Sequence, residues 1–244
     1  MIGCGCAVCE SSDSRDKRLR PSIVLEVKDG PTILVDTTPD LRQQALRHGL
    51  TRVDAVLFTH PHADHVLGLD ELRRFNALQE SAITCYADAA TWAGIRRTFS
   101  YVFDDAPRLG GGIPRIDSRD VDGPFSAAGI RAVPVPLLHG RMPVLGFRFG
   151  TFAYLTDCNA LPDAAWALLD GVETLVIDAL RDKPHPTHFT VAQALDAVRR
   201  IGPRRTYLTH MTHDLGYEAT AERLPAGVAP AYDGLVLDVT VEGA

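Results

Sequence analysis

No stretch of the 244 residues approaches the roughly 18 consecutive apolar residues of a membrane-spanning helix. The first residues also lack the charged-then-apolar layout of a signal peptide, so a cytoplasmic protein with no membrane partner is expected. Positive charge is short: 25 Lys and Arg stand against 31 Asp and Glu, a net charge of −6 that provides no global field for nucleic acid and favours small-molecule substrates. Cysteine is scarce and uneven. Three of the five lie in Cys4-Gly5-Cys6-Ala7-Val8-Cys9 and the others stand alone at Cys85 and Cys158, unlike the disulfide framework of a small secreted domain. Internal repeats, low-complexity tracts and a dividing linker are all missing. Gly110-Gly111-Gly112 lacks the strand-to-helix setting of a phosphate-binding loop.

What is present is a hydrophobic content of 45%, enough for a sizeable core in one α/β domain, read here as spanning residues 1–244. β-branched runs at 22–27 and 32–36 flank Lys28-Asp29-Gly30-Pro31 as a hairpin. Thr38 is placed as N-cap and Pro39 as first residue of a helix that Gly49 stops, with His48 exposed in its last turn. Strands follow at 55–59 and 83–86, helices at 70–78 and 89–97. From Asp104 to Pro124 the pattern dissolves, as in a substrate rim, a lid or a plain surface excursion. Beyond it lie an apolar run at 130–138, a hairpin across Gly150, a short helix at 162–169, a buried strand at 174–178, a helix at 190–201 and a last strand at 235–241.

The chemistry is concentrated in Thr59-His60-Pro61-His62-Ala63-Asp64-His65, four metal-ligand residues in six positions directly after an apolar strand. His60 and His62, two apart on extended backbone, point to one side, and Asp64 and His65 follow as the chain turns toward a helix. Imidazole with carboxylate suits zinc, manganese or iron. His139, Asp157 and His210 each stand at the end of another strand, a repetition that makes sense if the strand ends converge. Cys4, Cys6 and Cys9 look like three ligands of a structural zinc site short of its fourth, with a redox role as the competing reading, and Cys85 reads as a small core residue. His188 lies on the loop before a helix that Thr190 can cap, where a side chain reaches across a pocket mouth; His185, between two prolines, stiffens that loop. Asp36, Asp178 and Asp233 are candidates to orient ligand histidines.

His60-x-His62-x-Asp64-His65 followed by His139, Asp157 and His210 resembles the metallo-β-lactamase superfamily of binuclear hydrolases. The cysteine cluster, Pro184-His-Pro-Thr-His188 and Thr209-His-Met-Thr-His213 resemble its phosphoribosyl 1,2-cyclic phosphate phosphodiesterase group, of the carbon–phosphorus lyase pathway, over nearly the whole chain. The resemblance implies a four-layer αββα sandwich. It differs at the start, where the family usually has a strand and a glycine-rich turn before the cysteines; either the first strand is lacking or the chain starts upstream of Met1. It further implies His60, His62 and His139 on one metal, Asp64, His65 and His210 on a second, Asp157 bridging, and His213 completing a structural zinc site with Cys4, Cys6 and Cys9. Two such cations, about 3.5–4 Å apart, generate a bridging hydroxide near neutral pH. That hydroxide would attack a small cyclic phosphodiester, with Asp64, Asp157 and His188 as the catalytic residues and His188 as general acid. The expected partners are that small anionic substrate and, in a homodimer, a second copy of the chain. The alternatives are a tRNA 3′-processing-type nuclease or a lactone or thioester hydrolase of the same superfamily.

Overall fold

The computed structural model describes residues 1–104 and 112–243, which form two compact units. One unit is Arg20–Arg131; the other combines Met1–Leu19 with Ala132–Gly243.

In the unit Arg20–Arg131 a five-stranded sheet runs in chain order: β1 (Ile23–Glu26), β2 (Thr32–Val35), β3 (Ala55–Leu57), β4 (Ile83–Ala87) and β5 (Ile116–Asp120). β1 and β2 are the expected antiparallel hairpin, with Ile23 opposite Val35 and Glu26 opposite Thr32; the later pairings are parallel. β2 and β3 are buried at every position, so their apolar runs do not alternate. Leu34, Val56 and Cys85 from the sheet join Leu41, Leu72, Phe75, Trp92 and Ile95 from the helices Leu41–His48, Leu72–Gln79 and Ala89–Thr98 in one core. Each large side chain buried there stabilises the fold by about 1.5–3 kcal/mol. The first of these helices begins later than the capping pattern predicts. Asp40 holds the N-cap position, while Thr38 makes the preceding turn, its Oγ1 accepting from the Asp40 amide and its carbonyl from the Leu41 amide. Gly49 ends the helix in the left-handed region, as expected.

The stretch expected to be irregular from Asp104 to Pro124 lies outside the described residues at 105–111 and holds β5 farther on. β5 is an edge strand with no fully buried residue, so Ile116-Asp-Ser-Arg-Asp120 carries little apolar signal.

The second sheet has seven strands in the order β12-β11-β10-β9-β8-β7-β6. These are β6 (Phe125–Ala127), β7 (Ile130–His139), β8 (Met142–Phe149), β9 (Phe152–Leu155), β10 (Thr174–Asp178), β11 (Arg205–Thr209) and β12 (Val228–Pro230). The unit boundary falls inside β7. β7, β8 and β9 are antiparallel, whereas β9 to β12 are parallel, with Asp178 opposite Thr209. The helix Val191–Ile201 starts at a capping box between Thr190 and Gln193, and its Ala194 and Ala197 pack with Leu155, Leu175, Ile177 and Leu208. The last strand expected at 235–241 is absent among the described residues; Val236 is 85% exposed, so the alternation there faces no core. Thr240 instead accepts from the Thr151 amide, and the closing strand is the short β12, whose Pro230 is tolerated at a sheet edge.

Three strand-end residues, Asp36, Asp157 and His210, have φ of 65°, 51° and 59°. Left-handed backbone costs a non-glycine residue on the order of 1–2 kcal/mol, and such strain gathers at functional positions. Just past His65, Gly68 is held against the chain: a Cβ there would stand 2.0 Å from the Thr38 carbonyl oxygen. Gly68→Ala is therefore expected to destabilise the protein by at least about 1–3 kcal/mol in denaturant titration; an unaltered midpoint would contradict this packing.

Candidate metal centre

In the unit Arg20–Arg131 the ligand stretch follows β3 and opens the short helix Ala63–Val66, with His62 at its N-cap and Asp64 and His65 inside it. The His60 ring lies 4.7 Å from that of His62 and 4.2 Å from that of His65, centroid to centroid. Asp36, fully buried at the end of β2, organises them. Its Oδ1 accepts from the Thr59 amide at 2.8 Å, and its Oδ2 accepts at 2.8 Å from both the Thr59 hydroxyl and His65 Nδ1. The Thr59 hydroxyl has one hydrogen and gives it to Asp36, so toward His60 Nδ1, 2.9 Å away, it can only accept. Both rings therefore carry their proton on Nδ1 and offer Nε2 to a metal. Burial pushes the Asp36 carboxyl up, and His65 and Thr59 oppose that shift. Arg20 Nη1 stands 3.3 Å from Asp64 Oδ2, a contact across 44 residues with no sequence signal.

In the other unit, His139 ends β7 and donates from Nδ1 to the Asp157 carbonyl at 3.2 Å, which again leaves Nε2 as ligand atom. Asp157 follows β9; its Oδ1 accepts from the Thr156 hydroxyl at 2.9 Å and lies 3.1 Å from His210 Nε2. His210 follows β11. Asp178, at the end of β10, accepts from the Phe189 amide at 2.9 Å and from His188 Nδ1 at 3.3 Å. Burial drives its carboxyl well above the usual range; His210 pulls it back and Asp157 adds to the rise. The His188 ring sits 4.7 Å from that of His139 and 4.8 Å from that of His210. One ligand atom each from Asp157, Asp178, His188 and His210 lie within 4.8 Å of one another. Sequence reasoning had Asp178 only as an orienting group, and the structure brings it within ligand range as well.

Cys4, Cys6, Cys9 and His213 form a separate cluster with ligand atoms within 4.8 Å of one another. Cys4 and Cys6 Sγ each lie 3.3 Å from His213 Nδ1, near the edge of about 3.5 Å that tetrahedral zinc bonds to sulfur and nitrogen imply. Cys6 caps the short helix Ala7–Glu10, its Sγ accepting from the Cys9 amide. That amide, and then His213, hold the Cys6 thiol down to about 6, which favours the thiolate at neutral pH, the form able to bind a metal. Cys85 is fully buried and its thiol is pushed up by burial, in keeping with a core residue. His185 Nδ1 accepts from the Thr187 amide within its own loop, Asp233 accepts from the Leu19 amide, and His48 is exposed.

Histidines locked at Nδ1 by buried acceptors, with carboxylates beside them, are a donor set for divalent transition metals. The model of the beta-lactamase superfamily domain matches residues 31–211, and the chain belongs to the metallo-β-lactamase superfamily, in its PhnP-like group. A crystal structure described as a new diphosphatase from the PhnP family is 40% identical, with a TM-score of 0.92 over 100% of this chain and 93% of that one. This similarity also assigns the αββα fold expected from the sequence. An octanoyltransferase of Porphyromonas gingivalis is 38% identical over 244 residues, which is 99% of this chain and 49% of that protein; the chain thus spans about half the length of this relative. Human short-form tRNase Z, 20% identical with a TM-score of 0.69 over 91% of this chain and 93% of its own, shares the fold alone.

Asp36→Asn replaces an oxygen that accepts two bonds with a group able to accept fewer. It is expected to weaken metal binding by about 10- to 100-fold in calorimetric zinc or manganese titration, and undiminished affinity would contradict the orienting role of Asp36.

Proposed function

We propose that the chain is a binuclear metal-dependent phosphodiesterase acting on a small anionic phosphodiester, of which phosphoribosyl 1,2-cyclic phosphate is the leading candidate. The observation that carries this reading is the Nδ1 locking of His60, His65, His139 and His188 by acceptors within each unit. His60, His62 and His139 would hold one zinc or manganese ion, and Asp64, His65 and His210 the other, with Asp157 bridging. Cys4, Cys6, Cys9 and His213 would hold a structural zinc. When bound, the two active-site cations supply positive charge to the phosphate oxygens and favour ionisation of water near neutral pH.

The chain's own residues account for the leaving group. Asp178 accepts the Nδ1 hydrogen of His188, which fixes the ring and favours the imidazolium form, in which Nε2 carries the second proton and is the donor. As water loses one proton to solvent, its oxygen bonds to phosphorus, and the bond to the sugar oxygen breaks, His188 gives its Nε2 proton to the departing oxygen and regains one from solvent. The 40% identity to a PhnP-family diphosphatase favours a second reading, in which the scissile bond is a phosphoanhydride. A phosphate leaving group departs as a stable anion and depends less on a general acid. Turnover by the metal-replete protein of ribose 1,2-cyclic phosphate 5-phosphate, 2′,3′-cyclic nucleotides, bis(p-nitrophenyl) phosphate, a dinucleoside diphosphate and pre-tRNA decides between these readings. Loss of all turnover in metal-replete protein would contradict both.

His188→Ala is expected to keep its metal content and to slow substrates with alkoxide leaving groups by about 10²- to 10⁴-fold, with a far smaller loss on p-nitrophenolate esters. Equal losses on the two classes would remove the general-acid role. Cys6→Ser should lose one zinc per chain by elemental analysis and melt at a lower temperature, because a structural site contributes its binding energy to folding; unaltered stoichiometry and melting would end that assignment.

A further inference from the structure

Asn159 follows Asp157 by two residues and joins three segments that carry site residues. Its Oδ1 accepts from the amide of Gly140, the residue after His139, at 2.7 Å. Its Nδ2 donates to the carbonyl of Pro186, two residues before His188, at 3.2 Å. Its own amide donates to the Leu138 carbonyl at 2.9 Å, which anchors it to the end of β7. The two side-chain partners fix which end of the amide is oxygen, since one is an N–H and the other a carbonyl. No other residue type of this length offers one acceptor and one donor in that arrangement. The packing is close where Asn159 draws the segments together: a Cβ on Gly140, at φ +66°, would stand 3.0 Å from Thr187 Cγ2.

The Pro184-to-His188 loop is otherwise tethered near His188 by the Asp178 bonds to the His188 ring and the Phe189 amide, and by the Phe189 amide with the Cys158 carbonyl. Those bonds hold the C-terminal end of the loop. Asn159 holds its middle, and holds it to the turn beside His139, whose ring is 4.7 Å from that of His188.

We infer that Asn159 is the positioning residue for His188, clamping the Pro186 loop to the Gly140 turn so that the general acid stands at a fixed place beside His139. The inference rests on the proton-donor reading of His188. Asn159→Asp keeps the acceptor for Gly140 but sets a carboxylate oxygen against the Pro186 carbonyl, and Asn159→Ala removes both bonds. Both variants should retain the metal content of the parent protein. Both should lose about 10- to 100-fold in kcat on alkoxide-leaving diesters and less than about threefold on bis(p-nitrophenyl) phosphate, with Asn159→Asp at least as impaired as Asn159→Ala. A uniform loss on both substrates, or no loss, overturns the inference, because a purely structural residue would not discriminate between leaving groups. His188→Ala measured alongside separates the two claims: if it shows the leaving-group split and Asn159→Asp does not, only the Asn159 inference fails; if it shows no split, the reading beneath fails.

Discussion

A fully buried carboxylate has to be met by donors, and in each unit of this protein a histidine ring is one of them. Asp36 closes β2 and is satisfied by Thr59 and His65; Asp178 closes β10 and is satisfied by Phe189 and His188. The same bonds that make burial tolerable choose the tautomer of each ring and aim its second nitrogen. Strand ends, buried aspartates and outward-offered Nε2 atoms are thus one arrangement rather than three. The left-handed backbone at Asp36, Asp157 and His210 is part of it, since the chain has to turn sharply there to bring a side chain beside the end of its own strand.

Much of this was legible in the sequence because it rests on local pattern. The hairpin of β1 and β2, the Gly49 stop, the Thr190 cap and the ligand-type residues at strand ends all follow from neighbours in the chain. What was not legible depends on partners far apart or on burial that composition does not encode. β5 is a polar edge strand whose only instruction is the parallel partner β4. Residues 235–241 alternate like a strand, yet Val236 points to solvent and no ladder forms. Thr38 and Asp40 are both fair caps, and the turn made by the Thr38 carbonyl decides between them. In the site, the approach of Arg20 to Asp64 and the two-armed contact of Asn159 carry no spacing that a reader of the sequence could use.

The cysteine cluster shows the complementary case. Cys4, Cys6 and Cys9 read as a candidate site that is one ligand short, and the residue grouped with them, His213, comes from 204 residues beyond Cys9 and only three beyond His210. Because Met1–Leu19 belongs to the same unit as the C-terminal strands, a metal there would fasten the start of the chain to the loop that follows β11. Under the proposed function, His210 and His213 would link the catalytic and structural metal sites through one short segment.

The proposed function requires that the candidate histidines and aspartates hold a pair of metal ions close enough to act on one phosphate. Electron paramagnetic resonance of the protein loaded with two equivalents of manganese addresses it most directly, with the cysteine site kept filled by zinc. The account predicts a spin-coupled multiline spectrum that collapses to an isolated six-line signal in His139→Ala. Isolated six-line signals from the parent protein at full loading would contradict it.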